Sequence, residues 1–352
     1  MKNSTMIDQN TEWDTLFMQR ALDLATLGHG RVSPNPMVGC VIVDAQNQVI
    51  AEGWHQRYGQ AHAEVNALNA VADPTILPQS TLYVNLEPCA HYGKTPPCAE
   101  AIIQHQLGRV VVANADPNPL VAGKGLLMLK EAGIKVQEGV LEEEGYQLNK
   151  RFFTFMEKKR PYVILKWAET ADGFMARENF DSRWISNLLS RKIVHKWRSE
   201  EDAIMVGKNT ARFDNPKLTV RDWSGRNPLR IVVDRHLELS PNLIIFNGET
   251  PTICYNSIKN EQKPNLDYVK IQGKDFLNSM MQDLYQRKVS SVIVEGGSFL
   301  LNLLYEQNIW DEAHVFKSGF SFKNGIKAPR PEGILVNCRK FLDNWYFEYL
   351  NQ

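Results

Sequence analysis

The sequence reads HAEVNAL at residues 62–68 and LEPCAHYGKTPPC at residues 86–98. Together these stretches supply one imidazole, from His62, and two thiols, from Cys89 and Cys98. One imidazole and two thiolates are good zinc ligands. Three protein ligands leave a fourth position open for water, which is the arrangement of catalytic rather than structural sites. The two stretches therefore predict a catalytic zinc site.

The residues around these ligands indicate that two helices begin at the site. His62 precedes the apolar stretch AEVNALNAV, and Cys98 follows two prolines and precedes AEAIIQHQL; proline is favoured in the first turn of a helix. Residues i and i+2 do not share a helical stripe, so His62 and Glu64 converge on one site only near a helix start. Glu64 is the candidate catalytic residue, because a carboxylate there can move a proton from water to a leaving amine.

The spacing of the two thiols narrows the class of enzyme. H-x-E followed by P-C-x-x-C is the signature of zinc-dependent base deaminases. Here eight residues separate Cys89 from Cys98, and this longer loop argues against a tRNA or polynucleotide deaminase. His91, inside the loop, is either a substrate contact or a solvated loop residue. Cys40 lies in an apolar strand, where a core position is expected.

Composition bounds the remaining possibilities. The 352 residues suggest about two domains. Forty basic and forty acidic residues give no net charge, which argues against a nucleic-acid partner. Five scattered cysteines do not form a secreted disulfide framework. The N-terminus has no signal-peptide pattern, and no apolar run reaches the roughly 20 residues of a membrane span. We expect a cytoplasmic protein without a membrane partner.

Apolar strands alternate with helices of about ten residues, which predicts an α/β fold in which helices cover a sheet. A charged helical stretch at 141–160 ends at Pro161, and we place the domain boundary within 147–160, giving domains of 1–150 and 151–352. In the first domain the predicted strands are 37–43, 81–87, 109–114 and 134–137, and the predicted helices are 12–30, a stretch from Ala63, 99–107 and 123–132. In the second domain the predicted strands are 161–168, 203–207, 229–234, 252–255 and 291–297, and the predicted helices are 187–199, 274–288 and 298–307.

From about residue 12 to about residue 313 the sequence resembles the bifunctional deaminase–reductases of riboflavin biosynthesis. The stretches that carry the resemblance are SPNPMVGCVIV (33–43), GWHQRYGQAHAEVNAL (53–68), LEPCAHYGKTPPC (86–98), DPNPLVAGKGLLMLKEAGI (116–134), SRWIS (182–186), FDNPKLTVR (213–221) and VEGGSFLLNLL (294–304). The long loop between the two cysteines is typical of that family.

The resemblance implies a fold and two activities. The fold is a cytidine-deaminase-like three-layer α/β/α domain followed by a dihydrofolate-reductase-like α/β domain. The first domain would use Zn²⁺ to deaminate 2,5-diamino-6-ribosylamino-4(3H)-pyrimidinone 5′-phosphate. The second would use NADPH to reduce the ribosyl group to ribityl, giving 5-amino-6-ribitylaminouracil 5′-phosphate. The implied partners are this small nucleotide and further copies of the chain, in a dimer or tetramer.

The resemblance also assigns residues to the sites. His62, Cys89 and Cys98 would bind zinc, and Asn35 would contact the pyrimidine, although a simple Asx turn before Pro36 also explains Asn35. The implied NADPH contacts are Ala168, Trp184, Thr210, Gly297, Ser298, Phe299, Leu300, Leu301, Asn302 and Leu303. The implied substrate contacts are Ser182, Arg198, Asp214, Leu218, Arg221 and Glu295. Of these, Arg198 and Arg221 suit the ribose phosphate, because guanidinium groups bind phosphate in a forked geometry.

From the residues alone the second site is less marked. Residues 294–298, VEGGS, follow an apolar strand and precede a helix, and glycines there allow a backbone to approach a phosphate. The turn does not match G-x-G-x-x-G. Lys166 lies near a stretch that resembles the family, but an ordinary alternating strand residue also explains it. The stretch HVFKSGFSFKNGIKAPRPEGI (314–334) departs from the family pattern, so no site residue is assigned beyond Leu303.

Three other functions stay open at this point. A deaminase with an assembly or regulatory second domain would not bind NADPH through residues 160–352. A non-catalytic nucleotide-binding protein is disfavoured by the intact set of His62, Glu64, Cys89 and Cys98. A nucleic-acid base editor is disfavoured by the neutral charge, and would bind nucleic acid with a steep salt dependence.

Overall fold

The structure is a computed structural model, and it describes residues 9–92, 96–118, 121–273, 275–330 and 332–351. The chain divides into two compact units, Met1–Lys158 and Lys159–Gln352. Within the described residues, no helix is both long and apolar enough to cross a bilayer.

The first unit is built on one five-stranded sheet. Its strands are β1 (Gly39–Val43), β2 (Val49–Trp54), β3 (Thr81–Leu86), β4 (Arg109–Asn114) and β5 (Lys135–Glu138), in the order β2-β1-β3-β4-β5. Its helices are α1 (Gln9–Thr26), α2 (Ala63–Asn69), α3 (Cys98–Gln104), α4 (Lys124–Glu131), α5 (Glu142–Leu148) and α6 (Lys150–Lys158), with a 3₁₀ helix at Pro74–Gln79. Strands β3, β4 and β5 run parallel, whereas β1 is antiparallel to both of its neighbours.

Alternate residues of the strands face two different cores. Cys40 and Ile42 pack with apolar residues of α2, α3 and α4, whereas Val41 and Val43 pack with α1 on the other side. This alternation follows from the two-residue period of a strand, and it produces the predicted α/β/α layers. The predicted division at residues 150/151 stays a prediction; in the structure α6 packs with the first unit through Phe152.

The second unit is built on a ten-stranded sheet and a two-stranded ribbon. The sheet order is β11-β12-β10-β9-β8-β13-β6-β14-β17-β16, and β7 pairs with β15 in the ribbon. The strands are β6 (Tyr162–Glu169), β7 (Phe174–Ala176), β8 (Ala203–Gly207), β9 (Leu229–Val233), β10 (Thr252–Asn256), β11 (Glu261–Lys263), β12 (Leu266–Lys270), β13 (Ser291–Glu295), β14 (Glu312–Lys317), β15 (Ile326–Lys327), β16 (Ile334–Phe341) and β17 (Asn344–Leu350). The helices are α7 (Leu188–Glu200), α8 (Lys208–Asp214), α9 (Phe276–Gln286) and α10 (Ser298–Glu306), with a 3₁₀ helix at Ile244–Phe246.

Here too the central strands are buried on both faces. Val163 and Leu165 of β6 share one core with α9 and α10, while Tyr162 and Ile164 share another with Ala211 of α8. Strands β12, β10, β9, β8, β13, β6 and β14 pair in parallel. Their carboxyl ends therefore lie along one edge, which is where open α/β sheets bind ligands.

Candidate active sites

Three zinc-binding side chains meet at the starts of α2 and α3. His62 immediately precedes α2, Cys98 is the first residue of α3, and Cys89 lies in the loop after β3. His62 Nδ1 is 3.6 Å from Cys89 Sγ and 3.3 Å from Cys98 Sγ. Zinc bonds of about 2.0 Å to nitrogen and about 2.3 Å to sulfur, at tetrahedral angles, would hold the nitrogen and each sulfur about 3.5 Å apart. The donor set therefore fits zinc in both chemistry and spacing.

The environment of Cys89 favours a thiolate. The backbone N–H of Cys98 donates to Cys89 Sγ at 3.3 Å. Hydrogen bonding with the Cys98 side chain, opposed by burial and helped by His62, lowers the pKa of Cys89 to about 4. A thiolate is the form of cysteine that binds metal, so this loop presents Cys89 in its metal-binding form.

Glu64 lies beside the three donor atoms but is not one of them. It is in the first turn of α2 and is 3% exposed. Its charge interacts with His62 and Cys89, and burial, the largest effect, raises the pKa of Glu64 to about 7. The group of side chains that could bind a metal ion consists of His62, Cys89 and Cys98 and does not include Glu64. The carboxyl group of Glu64 is therefore available for proton transfer.

Asn35 is connected through His55 to the three predicted zinc ligands, His62, Cys89 and Cys98. Asn35 Nδ2 is 3.2 Å from His55 Nε2, and the rings of His55 and His62 meet edge to face with centroids 5.2 Å apart. The turn that carries Asn35 is held in place at Met37, whose backbone N–H donates to Asn149 Oδ1 at 2.8 Å. These contacts place Asn35 near His62, and its contact with the pyrimidine stays a prediction.

A buried glutamate fixes the loop that carries Cys89. Glu87 accepts hydrogen bonds from the backbone N–H groups of Asp116 at 3.1 Å and of Gly123 and Gly125 at 2.9 Å. At Gly125, a Cβ atom would lie 2.0 Å from the carbonyl oxygen of Pro88. Only glycine permits this approach, and α4 is thereby packed against the residue preceding Cys89.

In the second unit, Glu295 at the end of β13 lies between two cations. Arg198 of α7 donates to its two carboxylate oxygens at 2.6 and 2.8 Å, and Lys166 Nζ of β6 is 3.6 Å away. Burial opposes ionisation, but Arg198 and Lys166 outweigh it and lower the pKa of Glu295 to about 2. Burial lowers the pKa of Lys166, with Glu295 acting in the opposite direction. The site thus holds an ionised, buried carboxylate.

A glycine turn follows Glu295 directly. Gly296 and Gly297 have φ values of +86° and +81°, a region that side chains disfavour. A Cβ atom on either glycine would lie 3.2 or 3.3 Å from Thr210 Oγ1. Thr210, in α8, therefore packs against the turn, and Ser298 begins α10 immediately after it.

The other residues assigned to NADPH lie in two kinds of environment. Trp184 is 67% exposed and Phe299 is 78% exposed, and the guanidinium group of Arg191 lies 4.1 Å from the centre of the Trp184 ring. The remaining residues are turned towards the core or partly covered: Leu300 and Leu301 are buried, and Ala168, Asn302 and Leu303 are partly buried.

The residues assigned to the substrate form two pairs and two separate positions. Arg198 pairs with Glu295, and Ser182 Oγ lies 3.5 Å from Asp214 Oδ1. Burial raises the pKa of Asp214. The substrate-assigned residues outside these pairs are Leu218, which is buried in the core on the α8 side, and Arg221, which is exposed and reaches Thr219 Oγ1 at 3.4 Å.

Comparisons with known proteins identify both units. Residues 11–114 match the family model "Cytidine and deoxycytidylate deaminase zinc-binding region", and residues 161–319 match "RibD C-terminal domain". The riboflavin biosynthesis protein RibD of Aquifex aeolicus is 41% identical, over 87% of this chain and 86% of its own length. The RibD protein of Escherichia coli is 36% identical, over 86% and 87%. The chain belongs to the RibD family.

A solved RibD-type structure has the same fold throughout. The diaminohydroxyphosphoribosylaminopyrimidine deaminase/5-amino-6-(5-phosphoribosylamino)uracil reductase of Thermotoga maritima superposes with a TM-score of 0.88 and 36% identity, covering 98% of this chain and 100% of that one. The predicted fold class is confirmed. As a RibD protein the chain is a bifunctional deaminase and reductase of riboflavin biosynthesis, and its cofactors are zinc and NADPH.

Sequence reasoning missed or undervalued three functional neighbours. His55 stands seven residues before His62 in a quoted stretch, yet its contact with Asn35 spans 20 residues of chain. Glu87 adjoins Pro88 but binds a loop that begins 29 residues later. Lys166 resembles an ordinary strand residue until the pairing of β6 with β13 sets it opposite Glu295.

Among the described residues there is one further metal-type cluster, formed by Glu312, His314 and Glu348. His314 Nε2 is 3.4 Å from Glu312 Oε2, and His314 Nδ1 is 2.9 Å from the hydroxyl of Tyr346. Both imidazole nitrogens therefore already have partners within the sheet.

Proposed function

We propose that the two sites of this RibD protein act in sequence on 2,5-diamino-6-ribosylamino-4(3H)-pyrimidinone 5′-phosphate. The first site removes an exocyclic amine by hydrolysis, and the second reduces the ribosyl group to ribityl. The product is then 5-amino-6-ribitylaminouracil 5′-phosphate. The observation that carries the proposal is the convergence of His62, Cys89 and Cys98 beside the buried carboxyl group of Glu64.

In the first site, His62, Cys89 and Cys98 would hold zinc. Bound zinc supplies Lewis acidity, which makes water a nucleophile near neutral pH. Glu64 takes the proton of the attacking water on its carboxylate and delivers it to the leaving amine. Asn35 orients the pyrimidine through its side-chain amide, which can both donate and accept hydrogen bonds.

In the second site, bound NADPH supplies the hydride. The turn at Gly296 and Gly297, with Thr210 behind it, would let the cofactor phosphates approach backbone N–H groups at the start of α10. Trp184 and Phe299 offer exposed aromatic surfaces to the cofactor. Leu300, Leu301 and Leu303 support α10 from the core side. Ser298, Asn302 and Ala168 would line the path of the cofactor to α10.

The substrate of the second site meets four polar side chains. Glu295, kept ionised by Arg198, accepts hydrogen bonds from the substrate. Arg221 is exposed and suits the phosphate, because its guanidinium group can bind two oxygens at once. Ser182 and Asp214 would bind the hydroxyls of the sugar chain, and the family resemblance also assigns Leu218 to the substrate.

A single assay tests both activities and their order. The nucleotide and NADPH are mixed with the enzyme, and ammonia release and NADPH absorbance are followed together. We expect ammonia first and NADPH loss that depends on it. Ammonia release without NADPH loss would refute the reductase assignment, and NADPH loss from the undeaminated nucleotide would refute the order. A homo-oligomer, dimer or tetramer, stays a prediction that sedimentation can check.

A further inference from the structure

The segment 318–328, here called the connecting segment, runs along the turn that follows β6. The backbone N–H of Ala171 donates to Phe320 O at 2.8 Å, and that of Ala328 donates to Gly173 O at 3.0 Å. Within the segment, β15 pairs with β7 in the two-stranded ribbon. The connecting segment belongs to the stretch 314–334, whose sequence departs from the family pattern.

One side chain reinforces this attachment. Asp172 accepts hydrogen bonds from the backbone N–H groups of Phe322 at 3.2 Å and Lys323 at 2.8 Å. The hydroxyl of Thr170 donates to the same carboxylate at 2.5 Å. An ionised carboxylate forms stronger hydrogen bonds to N–H groups than a neutral acceptor does, so Asp172 fastens the middle of the connecting segment to the turn.

Gly325 lets the two chains approach closely. Its φ is +148°, and a Cβ atom there would lie 2.3 Å from the carbonyl oxygen of Ala176. No side chain can be accommodated at that distance without moving the backbone. The close packing of the connecting segment on β7 therefore depends on this glycine.

From this attachment, Arg177 extends to the loop that carries two proposed site residues. Its guanidinium group lies 4.1 Å from the centre of the Phe322 ring. The same group donates to Asp181 Oδ2 at 3.2 Å and to the carbonyl oxygen of Arg183 at 3.4 Å. Arg183 stands between Ser182 and Trp184. The side chain of Arg177 therefore links the connecting segment to the loop that carries these two residues.

The other end of the connecting segment contacts the start of α10. Ser298 Oγ donates to the carbonyl oxygen of Lys327 at 2.8 Å and accepts from Asn302 Nδ2 at 3.2 Å. Ser298 directly follows the glycine turn proposed to hold the cofactor phosphates. The connecting segment thus touches two separate parts of the proposed cofactor site.

We propose that the connecting segment sets the affinity of the reductase for NADPH by fixing both the loop with Trp184 and the start of α10. Arg177 is the positioning residue, and Phe322 is the surface on which it rests. The inference rests on the proposed function, because it takes Trp184 and Ser298 as cofactor contacts. A loop that is already ordered loses less entropy when the ligand binds, and affinity rises accordingly.

The test compares Arg177→Met and Phe322→Leu with the unchanged enzyme. NADPH dissociation constants are measured by fluorescence on the full chain, and ammonia release from the same samples reports on the deaminase unit. We expect each change to raise the dissociation constant roughly fivefold to tenfold, which corresponds to about 1.0–1.4 kcal/mol. The double variant should exceed Arg177→Met only slightly, because Arg177→Met already removes the contact with Phe322. Ammonia release should not change.

Arg339→Met is the matched control, because Arg339 lies 4.9 Å from the Phe341 ring on the edge strand β16, away from the turn after β6. Its NADPH affinity should stay unchanged. Trp184→Ala and Ser298→Ala separate the two levels of the argument. If they weaken NADPH binding while Arg177→Met does not, the role of the connecting segment is overturned and the cofactor site stands. If neither weakens binding, the proposed cofactor residues are themselves wrong.

Discussion

The side chains of Asn35 and His55 meet in the first site, with Asn35 Nδ2 3.2 Å from His55 Nε2. His55 Nδ1 lies 3.1 Å from the carbonyl oxygen of Ala61. A carbonyl oxygen can only accept, so Nδ1 carries the proton and Nε2 accepts from the Asn35 amide. His55 thereby turns Asn35 Nδ2 towards itself and leaves Asn35 Oδ1 for a donor group of the substrate.

Replacing His55 with phenylalanine should impair deamination without removing zinc. The change keeps a ring to pack against His62 but removes the nitrogen that orients Asn35. We expect kcat/KM for ammonia release to fall about tenfold, the effect of one hydrogen bond of about 1.4 kcal/mol. Zinc content by elemental analysis should stay the same. An unchanged kcat/KM would show that Asn35 is oriented in another way.

Replacing Glu64 with glutamine should stop deamination, because an amide cannot take the proton of the attacking water. A general acid–base group contributes about 10²- to 10⁴-fold to rate, so a loss in that range is expected. Zinc content should be unchanged, since Glu64 lies outside the donor set. Glu52→Gln serves as a control, because Glu52 pairs with Arg20 on the surface of the same unit. Loss of zinc from Glu64→Gln would contradict this division of roles.

The order of neighbouring residues along the chain was sufficient to predict the group of zinc ligands and the central strands. His62, Glu64, Cys89 and Cys98 are grouped in sequence, and each is placed by the start of a helix or the end of a strand. The strands β4 and β8, each an apolar run, were predicted with the bounds that the structure has. These features depend on residues that are neighbours along the chain.

Features that depend on distant pairing were not predictable from local pattern. Strand β2, VIAEGW, contains Gly53, which argues against a strand, yet a Cβ atom there would lie 2.5 Å from the carbonyl oxygen of Ala63. The glycine is needed so that α2 can pack on the strand. The contacts of Glu295 likewise depend on the pairing of β13 with β6, which sets Glu295 opposite Lys166. No single segment of the sequence contains both residues.

Replacing Arg198 with alanine should impair the reductase and leave ammonia release intact. The change leaves the buried carboxylate of Glu295 with only Lys166 nearby, at 3.6 Å. Breaking a buried ion pair on one side costs about 3–5 kcal/mol, so the second unit should also unfold at a lower urea concentration. Reduction is measured with the deaminated nucleotide as substrate. An unchanged rate of NADPH oxidation would remove Arg198 from the site.

Acid should destabilise the second unit partly through Glu295. Its pKa falls from 4.5 to about 2 on folding, so its contribution, about 3 kcal/mol, is fully present above pH 4.5. The contribution is lost as pH falls from about 4.5 towards 2, because the unfolded chain then binds the proton first. Urea unfolding of Glu295→Gln should show a shallower loss of stability over that range than the unchanged protein. Parallel curves for the two proteins would mean that Glu295 is not held ionised by Arg198 and Lys166.

Replacing Gly297 with alanine should weaken NADPH binding in addition to destabilising the fold. A side chain at φ +81° is strained by about 1–2 kcal/mol, and the new methyl group would also press on Thr210 Oγ1 at 3.3 Å. Gly133→Ala is the matched control, because Gly133 has φ +84° with no atom within 4 Å of its would-be Cβ. Both variants should lose stability in urea, since each places a side chain at positive φ. Only Gly297→Ala should raise the KM for NADPH, by roughly tenfold or more, since one displaced hydrogen bond at the phosphate accounts for about that factor. An equal effect of the two variants on KM would mean that the turn at Gly297 does not approach the cofactor.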